Sequence, residues 1–210
     1  MKSHWHMKRD LALVAAMVSV LLTPSGASAQ ELQGKSLVSG LQRGGYVILM
    51  RHANAPRELP SAQAADPENV HLERQLDENG RTTAVAFGKA LRDLKISIGQ
   101  VLSSPTYRAF ETARYAQLPT PRAIPELGDN GQSMQLTKES QAAWLQKHVT
   151  EFPSGSNTII ITHQPNIAGA FPQWSDSLSE GEALILGPDG KGGAILIARV
   201  KIEEWPKLGN

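Results

Sequence analysis

The chain has 210 residues and no cysteine, with 21 lysines and arginines against 20 aspartates and glutamates. That length allows one domain with a sizeable hydrophobic core. The absence of cysteine excludes disulfides and thiolate metal sites, and the near-zero net charge gives no sign of nucleic-acid binding.

The first 29 residues have the pattern of a secretory signal peptide. Lys2, Lys8 and Arg9 form a charged start, residues 11–22 are apolar, and an Ala-Ser-Ala sequence ends at Ala29. An apolar segment of about twelve residues is too short to span a bilayer comfortably, and small residues precede a cleavage site. We therefore expect a periplasmic or secreted protein that is not inserted in a membrane after cleavage. The alternative is an uncleaved anchor.

The remaining residues, 30–210, read as one domain in which strand patterns alternate with helix patterns. Strands are predicted over residues 46–50, 98–102, 122–124, 158–162, 183–186 and 194–202. Helices are predicted over residues 31–42, after Asp77, after Ser104, over 138–149 and, as one or two turns, over 166–171. The last two strands are joined by GPDGKGG, which is typical of a β-hairpin. This alternation predicts the α/β class.

Two helix starts carry specific signals. Asp77 is a candidate N-cap, because its carboxylate can accept from unpaired backbone N–H groups. Ser104 is expected to cap the next helix, with Pro105 in its first position and Arg108 in its first turn. The N-terminus of such a helix suits an anion.

Basic side chains follow three of the predicted strands. Arg51 and His52 end the strand at 46–50, His163 follows the strand at 158–162, and Arg108 opens a helix after the strand at 98–102. Ligands bind at the carboxyl ends of strands in open α/β sheets, so these four residues are expected in one pocket if the strands are neighbours. Arginine suits tetrahedral oxyanions, and a neutral imidazole can attack phosphorus to give a phosphohistidine.

A metal site is the rival interpretation, because imidazole is a common metal ligand. The flanking arginines would repel a divalent cation, and no acidic residue lies beside His52 or His163 in sequence. No metal and no other cofactor are therefore predicted. The long loop of residues 54–75 is expected to act as a lid or to be mobile. Within it His71 and Arg74 are expected to be ordinary solvated side chains.

Four stretches resemble the histidine phosphatase (phosphoglycerate mutase-like) superfamily, in order and spacing over nearly all of the predicted mature chain. They are MRHA at 50–53, LDENGRTTAVAFGKAL at 76–91, SSPTYRAFETA at 103–113 and ITHQPN at 161–166. The resemblance implies a three-layer α/β/α sandwich with a mostly parallel sheet and no metal requirement.

The same resemblance assigns roles to single residues. It implies that His52 is the nucleophile and that Arg51, Arg108 and His163 form the phosphate pocket. Asn54, close behind them in the sequence, is also expected to bind substrate. The family's general acid falls at Asp129. The alternatives are Glu126, three residues earlier, and no carboxylate acid at all, as in some small phosphohistidine phosphatases of the superfamily. Glu111 is expected to be structural.

We therefore predict an exported phosphoric monoester hydrolase that acts on small phosphorylated molecules, with a phosphosugar of the cell envelope as one candidate substrate. Within the superfamily the alternatives are a phosphohistidine-protein phosphatase and a phosphoglycerate-type mutase. An alternative from another class is a binding module that holds a phosphorylated ligand without turnover.

Overall fold

The computed structural model of the chain describes Met1, residues 32–129 and residues 136–209. Apart from Met1, the predicted signal peptide lies outside the described residues. Within the described ranges no helix combines the length and the apolarity needed to cross a membrane.

A six-stranded sheet forms the centre of the domain. Its strands are β1 Val47–Arg51, β2 Ile98–Ser103, β3 Arg122–Ala123, β4 Asn157–Thr162, β5 Ala183–Pro188 and β6 Ala194–Val200, in the spatial order β3-β2-β4-β1-β5-β6. β3, β2, β4 and β1 run parallel, whereas β5 and β6 add an antiparallel hairpin beside β1. The parallel part follows from the alternation of strands and helices. Two parallel strands need a crossover connection between them, and a helix usually provides it.

Helices cover both faces of this sheet. They are α1 Gly34–Arg43, α2 Glu78–Asp93, α3 Tyr107–Tyr115, α4 Lys138–His148 and α5 Gln164–Ala170. One core cluster joins the sheet to α1, α2, α3 and a C-terminal 3₁₀ helix, and a second joins the opposite face to α4 and α5. The predicted three-layer α/β/α sandwich is confirmed.

β4 is buried along its length and β1 from Val47 to Met50, because helices cover both faces of these strands. This explains their continuous apolar sequences, which lack the alternation of a half-exposed strand. In the parallel register Arg51 pairs with Thr162, and the His52 N–H donates to the Thr162 carbonyl at 3.0 Å. His52 and His163 therefore leave the sheet side by side.

The prediction for the start of α3 was wrong by two residues. The helix begins at Tyr107 with Thr106 as its N-cap, so Pro105 lies before it. Ser104 does not cap the helix because its hydroxyl accepts from the Thr106 N–H at 3.2 Å and bonds His163 at 2.8 Å. Asp77 does cap α2, accepting from the Gly80 N–H at 2.7 Å.

The C-terminus also differs from the prediction. The last strand ends at Val200, two residues earlier than expected, and a 3₁₀ helix follows over Ile202–Lys207. Trp205 in this helix is fully buried and contacts Phe87 edge-on, with ring centroids 4.9 Å apart. Burying this indole against α2 favours the compact turn over a continued strand.

Candidate active site

A cavity of about 410 Å³ opens where β1, β2 and β4 end. Four arginines, two histidines and two carboxylates dominate its wall. The lining residues are Arg51, His52, Arg57, Arg74, Arg108, Asp129, His163, Gln164, Pro165, Ser177, Leu178 and Glu180. The cavity is thus suited to a small, negatively charged ligand.

His52 is buried at the base of this cavity, and its partners define its tautomer. Its Nδ1 lies 2.8 Å from the Ala53 carbonyl oxygen, which can only accept, so Nδ1 carries the proton. Its Nε2 accepts from the Arg108 Nε–H at 3.2 Å. Burial, followed by repulsion from His163, lowers the pKa of His52 well below that of a free imidazole. His52 therefore keeps an unprotonated Nε2 at neutral pH, as a nucleophile requires.

His163 lies beside His52, with ring centroids 5.3 Å apart. Its Nδ1 accepts from Arg108 Nη2 at 3.0 Å, so its Nε2–H donates to the Ser104 hydroxyl at 2.8 Å. Burial and the charge of Arg108 lower the pKa of His163 to about 3. Both imidazoles are consequently neutral at neutral pH, and the positive charge of the pocket comes from the arginines.

Arg108 links the parts of the site. It is 4% exposed, and besides the two histidines it contacts Asp129, whose Oδ2 accepts from Arg108 Nη2 at 2.5 Å. The Asp129 side chain is 41% exposed at the mouth of the pocket. A carboxylate thus occupies the Arg108 fork where a phosphate oxygen could bind.

Arg51 and Arg74 form another side of the wall. Arg51 donates to Glu180 Oε1 at 2.7 Å and to the Leu178 carbonyl at 3.1 Å. Arg74 donates from Nε to the Pro56 carbonyl and from Nη2 to the Ala55 carbonyl, both at 2.6 Å. The expectation that Arg74 is an ordinary solvated residue is wrong, because this side chain is fixed in the pocket.

The family comparison agrees with this geometry. Residues 47–128 match the model of the histidine phosphatase superfamily (branch 1), a span that includes His52 and Arg108. This central part of the chain is therefore similar to the histidine phosphatase superfamily. A search of the curated proteins finds no match.

Solved structures share the fold at low sequence identity. The protein histidine phosphatase SixA complexed with tungstate matches with a TM-score of 0.56 and 21% identity, over 76% of this chain and 98% of its own. A putative phosphohistidine phosphatase SixA from Agrobacterium tumefaciens gives a TM-score of 0.50 and 18% identity, over 75% and 98%. A phosphoserine phosphatase mutant from Entamoeba histolytica, complexed with phosphoserine, gives a TM-score of 0.54 and 12% identity, over 75% of this chain and 98% of its own.

The loop that carries Arg74 is ordered by buried side chains. Asn69, only 2% exposed, donates to the Glu73 carbonyl at 2.7 Å and to Gln75 Oε1 at 3.1 Å. Glu73 Oε2 in turn accepts from the Tyr107 N–H at 3.0 Å. These bonds dock the loop on the start of α3 and so fix the position of Arg74.

Glu111 lies outside the pocket and anchors the same loop. It is 1% exposed, and its Oε2 accepts from the Leu76 N–H at 2.7 Å. Burial raises the pKa of this carboxyl to about 7. These contacts agree with a structural role for Glu111.

The structure does not bring Asn54 into the pocket with the other predicted site residues. Its amide donates to Asp77 Oδ2 at 2.5 Å, and its carbonyl accepts from the Asp77 N–H at 3.2 Å. Asn54 therefore links the end of β1 to the cap of α2, and the geometry does not favour the substrate contact predicted for it.

The two candidate acids differ in position. Asp129 lines the cavity, whereas Glu126 does not, although its backbone carbonyl accepts from Asn166 Nδ2 at 3.3 Å. This difference favours Asp129 as the acid.

As for metals, the described ranges contain no group of three or more histidine, aspartate or glutamate side chains that could hold an ion.

Proposed function

We propose that this protein is a phosphatase that hydrolyses small phosphomonoesters through a phosphohistidine on His52, without a metal ion. The observation that carries the proposal is the unprotonated His52 Nε2, buried in a cavity walled by four arginines. Phosphoryl transfer needs a placed nucleophile and positive charge around the equatorial oxygens, and these residues can supply both.

The proposed reaction has two displacements. His52 Nε2 attacks phosphorus, the bond from phosphorus to the leaving oxygen breaks, and Asp129 protonates that oxygen. The imidazole becomes positively charged while Nδ1–H remains bonded to the Ala53 carbonyl, which stabilises that charge. Water then attacks the phosphohistidine with Asp129 as the base, the P–N bond breaks, and inorganic phosphate leaves a neutral His52.

The cavity supports a small substrate, and the predicted leader supports a phosphosugar of the cell envelope. The test is hydrolysis by the purified chain from Gln30 onward of phosphosugars, phosphoserine, phosphohistidine peptide and p-nitrophenyl phosphate. We expect turnover of phosphomonoesters that is unchanged by EDTA, and a ³²P label that is trapped on the peptide containing His52. Preference for the phosphohistidine peptide would indicate the protein phosphatase instead. Tight vanadate binding without turnover of any compound would indicate the binding module.

We also propose that the protein acts outside the cytoplasm. The support is the charged start, the short apolar segment and the Ala-Ser-Ala sequence before Gln30. N-terminal sequencing of the protein from fractionated cells should begin at Gln30, within a residue or two, in the periplasmic or secreted fraction. An intact Met1 in the membrane fraction would contradict this proposal.

A further inference from the structure

Glu180 is a carboxylate in the pocket wall that the reaction described above does not use. Its side chain is 19% exposed, and its Oε1 lies 2.7 Å from Arg51 Nη2 and 3.9 Å from Arg74 Nη2. One oxygen atom thus faces two guanidinium groups that line the same cavity. Without an anion between them, two such cations would repel each other.

A backbone link strengthens this arrangement. The second oxygen of Glu180 accepts from the Ala55 N–H at 3.4 Å, and the Ala55 carbonyl accepts from Arg74 Nη2 at 2.6 Å. Glu180 therefore reaches Arg74 both directly and through Ala55. Three segments distant in sequence meet at this carboxylate: the end of β1, the loop that carries Arg74, and the residues before β5.

The segment that carries Glu180 is itself fixed against the nucleophile. The Gly181 N–H donates to the His52 carbonyl at 2.8 Å, and the Arg51 N–H donates to the Glu182 carbonyl at 3.1 Å. Gly181 has φ +75°, a conformation that is strained for other residues. The carboxylate is consequently held at a set position relative to His52.

We propose that Glu180 is a positioning residue that holds Arg51 and Arg74 as a fixed pair for the phosphoryl group. The inference rests on the proposed function, in which both arginines bind that group. Each guanidinium has more N–H groups than Glu180 and the backbone carbonyls occupy, so donors are left for phosphate oxygens. Preorganised donors stabilise a transition state better than donors that must first be ordered.

The test is Glu180→Gln, which keeps the size of the side chain and removes its charge. We expect kcat/KM for p-nitrophenyl phosphate and the affinity for vanadate to fall together by about 10- to 100-fold, the range for losing hydrogen bonds to charged groups. Glu180→Asp should restore part of both. In an Arg51→Ala background the effect of Glu180→Gln should be smaller, because one of the two positioned groups is already gone.

Glu182→Gln is the matched control. Glu182 is on the same segment and also binds an arginine, with Oε1 2.6 Å from Arg199 Nε, but it does not line the cavity. Glu182→Gln should weaken the contact with Arg199, lower the melting temperature and leave vanadate affinity unchanged. If Glu180 had only a structural role, Glu180→Gln would likewise lower the melting temperature and leave vanadate affinity unchanged. That result would overturn the proposal.

Two other results would also overturn it. Tighter vanadate binding by Glu180→Gln would mean that the carboxylate competes with phosphate for the arginines. If Glu180→Gln slowed the hydrolysis of alkyl phosphates alone, Glu180 would be a general acid. Vanadate binding is measured without turnover, so it tests the positioning role separately from the phosphatase activity. If the wild-type protein hydrolyses none of the substrates but Glu180→Gln binds vanadate more weakly, the phosphatase proposal fails and the positioning role stands.

Discussion

His52→Ala is expected to lower kcat for p-nitrophenyl phosphate by about 10⁴-fold or more, because it removes the proposed covalent nucleophile. His52 Nε2 is unprotonated, buried and directed at Arg108, and the neighbouring His163 has both ring nitrogens engaged, with Arg108 and Ser104. Apart from these two histidines, no imidazole of residues 32–129 and 136–209 lines the cavity and could replace His52. Initial rates and the loss of the trapped ³²P label measure this effect.

The fold should persist in this variant. The backbone N–H that joins His52 to Thr162 does not depend on the side chain, and circular dichroism should be unchanged. His71→Ala is the control, because this exposed histidine lies outside the cavity. It should retain wild-type rates. A folded His52→Ala protein with more than about a tenth of the wild-type activity would refute the nucleophile assignment.

Asp129→Asn is expected to slow hydrolysis of a sugar phosphate by about 10²–10⁴-fold, the usual contribution of a general acid. A sugar alkoxide needs a proton as it departs, whereas a nitrophenolate does not. The same variant should therefore barely affect p-nitrophenyl phosphate. In this structure Asp129 Oδ2 accepts a hydrogen bond from Arg108 Nη2. A bound phosphate would compete with Asp129 for the guanidinium of that arginine.

Glu126→Gln serves as the matched control for this acid, since Glu126 is three residues away and does not line the cavity. It should hydrolyse both substrates at nearly wild-type rates. If Glu126→Gln alone shows the loss that depends on the leaving group, the acid is Glu126. If neither variant shows it, the proton comes from water or His163.

The residues at the strand ends could be predicted from the sequence. Long apolar runs identified β1 and β4, and the carboxyl ends of parallel strands share one edge of a sheet, which places His52 near His163. Arg108 could be placed because α3 begins a few residues after β2, although the exact first residue was wrong. Ser104 follows a local capping pattern, but a partner 59 residues away engages its hydroxyl.

Arg74 and Glu180 could not be placed by the same reasoning. Arg74 lies in a loop without periodicity, and its position depends on the hydrogen bonds of Asn69 with Glu73 and Gln75. Glu180 is brought to Arg51 and Ala55 from about 125 residues further along the chain. Contacts of this kind leave no pattern in local sequence, because they depend on how loops fold over a finished sheet.

The position of β1 in the sheet has a consequence for biosynthesis. β1, which ends at Arg51 just before His52, pairs with β4 on one side and β5 on the other, and both are made more than a hundred residues later. A growing chain therefore contains His52 long before it contains the neighbouring strands. Pairing over such separations is slow, because a long loop must close before any contact forms. The pocket that contains His52 can therefore form only after β4 and β5 have been made.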